Sequence, residues 1–87
     1  MKLKLKGTEV ASGTDTAGAS NVGSATLVRV TNSGSTARLV TLEESDGTDI
    51  GTFTLSGGAT EYVDKAATDK IFAAHAEVKL VSVAFYS

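Results

Sequence analysis

The sequence predicts a small all-β protein, an antiparallel sandwich or barrel of about six to eight strands, on three observations. Apolar and polar residues alternate over short runs, as in Val28 and Val30 against Leu27 and Arg29. The runs recur at roughly 8 to 12 residues and are joined by Gly, Ser, Asn and Asp, the residues that turns favour. The chain has 87 residues and no cysteine or proline, so one core without disulfides must hold it.

Each element follows in order. Met1–Lys6 alternates with period two, setting Leu3 and Leu5 on one face and Lys2, Lys4 and Lys6 on a wet face. This reads as an edge strand, which lysine protects against stray pairing. The segment 7–23 is built from small residues with only Val10 and Val22 to bury, and is expected to be flexible apart from a short strand at about 8–12. The runs 25–31 and 36–43 flank Asn32-Ser33-Gly34-Ser35 and read as a hairpin whose turn places Gly34 at positive φ. Leu39, Val40 and Leu42 break strict alternation in the return run, a sign of two-sided cover or a bulge.

Asp46-Gly47 marks a second turn, and 50–55 is a strand with Phe53 and Leu55 opposite Thr52 and Thr54. Ser56-Gly57-Gly58 turns the chain into a strand at 59–64. One short helical turn is expected near 68–75, with Thr68 as N-cap and Asp69 in the first turn. The final run has Val81, Val83 and Phe85 on one face and Leu80, Ser82, Ala84 and Tyr86 on the other, the pattern of a strand covered on both sides.

The net charge of −2 supplies no field for binding nucleic acid. No apolar run reaches a membrane span, and the basic opening leads into Gly7-Thr8-Glu9 rather than an apolar signal core. A protein made in the cytoplasm, without a signal peptide or a membrane partner, is therefore expected.

Candidate chemistry is sparse. His75 is the only histidine, and no G-x-S-x-G elbow surrounds any serine, so it reads as a surface or helix-end residue and the chain as non-enzymatic. Glu43, Glu44, Asp46 and Asp49 offer oxygen ligands that suit calcium, but their spacing is not that of an EF-hand, and a solvated acidic turn is the simpler reading. The glycines lack the order of a phosphate-binding loop. Tyr62, Phe72 and Tyr86 are weighed as a sugar-stacking platform against use in core packing or an interface. No cofactor, metal or small-molecule substrate is indicated.

Val28-Arg29-Val30 with Asn32, then Gly51, Phe53 and Leu55, then Gly57-Gly58, then Lys65, Thr68, Asp69 and Ile71 form a pattern that resembles small virion proteins of tailed bacteriophages, particularly cyanophages. Many of those have proline in the last corner, where this chain has Ala67. The resemblance implies a β-sandwich structural protein located in the virion, most simply a capsid decoration subunit. Its expected partners are copies of itself, the major capsid protein lattice, or both. A neck or tail accessory protein and a carbohydrate-binding module are the alternatives. Leu3, Lys4, Leu5, Phe72 and Tyr86 are the candidate interface residues.

Overall fold

The computed structural model describes residues 1–86. Among them, eight strands run in chain order: β1 (Lys2–Leu5), β2 (Val10–Ala11), β3 (Leu27–Asn32), β4 (Arg38–Glu43), β5 (Asp49–Leu55), β6 (Thr60–Asp64), β7 (Lys70–Ala73) and β8 (Val78–Tyr86). All pairings are antiparallel. One sheet has the order β1-β8-β3-β6, with β2 beside β1 on the same edge of β8, and the other has the order β5-β4-β7. The core lies between them, where Val28, Val30, Val78 and Leu80 meet Val40, Leu55, Ile71 and Ala73. Among the described residues no helix is long and apolar enough to cross a membrane.

The expected hairpin at Asn32–Ser35 is instead a crossing between sheets. β3 pairs with β6 and β8, whereas β4 pairs with β5 and β7. The reason is Asn32, which is fully buried and spends its side chain on the turn. Its amide donates to the carbonyls of Thr36 at 2.7 Å and Leu55 at 3.0 Å, and its Oδ1 accepts from the Gly34 N–H at 3.0 Å. The turn's backbone is thus satisfied without a ladder, and the apolar sides of β3 and β4 face each other across the core. Gly34 is not at positive φ, contrary to expectation. Its lack of a side chain leaves room for the Glu77 carboxylate, which pairs with Arg38 and would have to shift if a Cβ stood there.

The true hairpin joins β4 to β5 through Glu44–Thr48, where Gly47 takes φ 92°. Glu44 N–H donates to the Thr48 carbonyl at 2.8 Å, and Asp46 accepts from the Thr48 N–H at 2.9 Å. The anticipated bulge is present as a register shift between Leu42 and Glu43.

The helical turn expected near 68–75 is replaced by β7. Ile71 and Ala73 are buried between partly covered Lys70 and Phe72, a period of two that pairs with β4. Asp69 does not start a helix; its carboxylate reaches back to the Ala66 N–H at 3.0 Å and its own N–H donates to the Ala66 carbonyl at 3.0 Å. Buried Lys65 closes the corner by donating to the carbonyls of Ala66 and Asp69. Burial lowers its pKa, partly offset by Asp69. The one helical turn among the described residues is 3₁₀, at Thr16–Gly18.

Segment 7–23 bridges the sheets. Ser12 N–H donates to Val78, Ala73 N–H to Gly13, and Ser20 and Ile71 exchange backbone bonds along the free edge of β7. The expectation of a flexible segment gave no hint of these bonds, because they satisfy backbone groups and require no apolar side chain.

Candidate functional site

The five-stranded sheet has an unusual outer surface. Since Val28, Val30 and Leu80 point into the core, their neighbours Arg29, Val81 and Val83 point away from the second sheet. Register carries this face across the strands: Leu5 lies beside Val83, Leu3 beside Phe85, and Tyr62 and Val81 on either side of Arg29. Val81 and Val83 are almost inaccessible although the second sheet lies on the other side; their neighbours on this face include Leu3, Leu5, Tyr62 and Phe85, with Gly7 and Glu9 beside Val81.

Those neighbours are themselves open to solvent. Leu3, Leu5, Tyr62 and Phe85 are 40, 66, 43 and 39% exposed. Tyr62 and Phe85 meet edge to face, with ring centroids 4.8 Å apart, which fixes two large side chains on the surface. The Arg29 guanidinium and Glu9 carboxylate form a pair at 3.4 Å, and with Leu3, Leu5, Gly7 and Val81 they line a hollow of about 350 Å³. An apolar centre with a charged pair at its side is the composition of a protein contact surface.

Four of the five expected interface residues lie on β1 or beside it, but only Leu3 and Leu5 share its outer face. Leu3 and Leu5 lie on this outer face, but Lys4 lies on the opposite side of the sheet, with Tyr86 at the end of β8. Phe72 belongs to β7 in the other sheet and is half-buried. Tyr62, Phe72 and Tyr86 therefore share no common face that would stack against a sugar. Reading the sequence set Val81, Val83 and Phe85 on one face but missed that Tyr62, Leu3 and Leu5 join them there. The two-sided apolar pattern of 78–86 was the available signal, since a sandwich has only one other sheet to cover it.

The remaining chemical candidates are used locally. His75 sits exposed between β7 and β8, where its Nδ1 accepts from the Glu77 N–H at 3.0 Å. Of the acidic turn, Asp46 serves its own loop, and the Thr48 backbone and hydroxyl hold its pKa below the usual carboxylate value. Glu43 turns inward, buried, and accepts from the Thr16 hydroxyl at 2.8 Å. Among the described residues, its Oε1 has no partner, and no group of three or more potential ligands is placed to hold a metal.

A second cleft of about 350 Å³ opens between the free edges of β5 and β6, lined by Val40, Leu42, Phe53, Val63 and Ile71 with Glu61 at its mouth. Comparison with protein-family models, curated proteins and solved structures gives no match.

Proposed function

We infer that the chain is a non-enzymatic structural subunit that docks through the outer face of its five-stranded sheet onto a protein array. The observation that carries this reading is the apolar patch of Leu3, Leu5, Tyr62 and Phe85 over buried Val81 and Val83. A sheet face that keeps this much apolar surface outside its own core suits a partner that covers it.

The resemblance to small phage virion proteins supplies the nature of the array, a tailed-phage particle and most simply its capsid shell. Decoration asks for a compact fold and an adhesive surface rather than a reaction centre. The expected lattice contact is Leu3, Leu5 and Phe85 against an apolar region of the shell protein, framed by Arg29 and Glu9.

Quantitative mass spectrometry of purified particles tests this reading. Copy number near that of the major shell protein supports capsid decoration, and a handful of copies moves the subunit to the neck or tail. Absence from particles overturns the virion assignment. Co-sedimentation with undecorated particles, lost in Leu5→Ser/Phe85→Ser, ties the binding to this face.

A further inference from the structure

The five-stranded sheet ends in two unpaired edges of opposite charge. Among the described residues β1 pairs only with β8, and β6 only with β3. The charged side chains of β1 are Lys2 and Lys4, and those of β6 are Glu61 and Asp64. We propose that copies of this chain join head to tail, the β1 edge of one pairing with the β6 edge of the next to continue a single antiparallel sheet.

Direction, side and charge all agree with this joint. β1, β8, β3 and β6 alternate in direction, so a copy displaced along the sheet presents its β1 antiparallel to the preceding β6. Lys2 and Lys4 lie on the side of the sheet opposite Leu3 and Leu5. Glu61 lies on that same side, beside Val30, whereas Tyr62 lies on the outer side with Leu3 and Leu5. The joint thus sets lysines beside Glu61 on one side, and leucines beside Tyr62 on the other, where Asp64 also lies and adds acidic charge to the edge without facing the lysines directly.

The neighbouring cleft strengthens the match. The lysines of the arriving strand lie on the side where the β5–β6 cleft opens, so their methylene stems cover its apolar rim while their ammonium groups reach Glu61. Pairing of like edges is disfavoured, because β1 against β1 opposes cations and β6 against β6 opposes carboxylates. The contact is therefore heterologous, and closes into a ring or extends as a chain according to the twist between copies. It stands independently of the virion reading; the joint takes up the flanks of Leu3, Leu5 and Tyr62, and the outer face of the extended sheet stays open to a further partner.

Sedimentation equilibrium of the purified chain tests it, using a concentration series to about 1 mM at low and high salt. The expected result is a mass that rises above the monomer with concentration and falls with salt. Lys2→Glu/Lys4→Glu makes both edges acidic, and Glu61→Lys/Asp64→Lys makes both basic; each is expected to weaken association at least about tenfold when alone. Mixed in equal amounts, the two variants regain association, since each then offers the complementary edge. Circular dichroism checks their folding; if either fails to fold, the neutral variants Lys2→Gln/Lys4→Gln and Glu61→Gln/Asp64→Asn replace them and must weaken association and flatten its salt dependence. A wild-type chain that stays monomeric throughout overturns the proposal. So does association that survives both changes, or a mixture of folded reversal variants that stays monomeric.

Discussion

The outer faces of the two sheets differ in what they leave to solvent. On the three-stranded sheet, Thr41 lies between Thr52 and Phe72 and is itself buried, while Thr54 lies beside Leu39. Three threonines share that face with a 47% exposed Leu39 and a half-buried Phe72, so its apolar residues are fewer and not gathered over a buried pair. The five-stranded sheet instead has Val81 and Val83 buried beneath half-open Leu3, Leu5, Tyr62 and Phe85. Polar patterning is sufficient for a sheet that only has to close a core. A sheet patterned with apolar residues on both sides serves the core and leaves a second apolar surface, the one on which the proposed docking rests.

Breaking the shared core gives the largest effect. Ile71→Ala should cost about 3 kcal/mol, because a fully buried side chain is removed from between the sheets. Asn32→Ala should cost about 2 kcal/mol, since the buried Leu55 carbonyl and the partly covered Thr36 carbonyl lose their donor at the crossing. Urea unfolding measures both, and both outer faces should be lost in one transition.

The contrast between the faces is sharpened by changing one face at a time. Leu5→Ser/Phe85→Ser should reduce stability by only about 1 kcal/mol, from the lost edge-to-face contact and side chains already half in water, while abolishing particle binding. Thr52→Ser/Thr54→Ala on the opposite sheet should stay within about 0.5 kcal/mol and leave binding intact. Equal loss of binding from the two pairs would sink the assignment of function to one face.

Smaller effects come from turns that belong to neither face. Ser24 follows Val22 and Gly23 in left-handed backbone, with φ 59°. Ser24→Gly should raise stability by about 0.5 to 1 kcal/mol, read as a higher urea midpoint at unchanged slope. Asp46 has a lowered pKa in the fold, so it contributes stability that is complete above its unfolded value of 3.8 and is lost as pH falls through the lower folded value. Acid titration of Asp46→Ala should lack that component, so its stability should fall less than the parent's as pH drops through the folded value.

Much of the strand plan was legible because period-two alternation is a local property of the chain. Val28 with Val30, Phe53 with Leu55, and Val81 with Val83 were correctly paired on their faces. Thr68-Asp69 was misread because a capping residue and a turn residue make the same short-range bonds; the choice fell to β4, whose open edge accepts Ile71 and Ala73 as a strand. The hairpin at Asn32 was misread for a related reason. Turn composition reports that the chain reverses, but a buried amide with partners on Thr36 and on distant Leu55 decided that it reverses into the other sheet.

The sequence by itself determined the all-β class, most strand positions and the two faces of those strands, because these depend on neighbours within a few residues. The lysine-bearing first strand was read as an edge and is one; only the tertiary structure decided which face met the core, and that β6 became the opposite edge with the opposite charge. Alternation divides residues into two sets without saying which set is inside. That choice is made by burial against partners such as β4 and β7, far away in the chain.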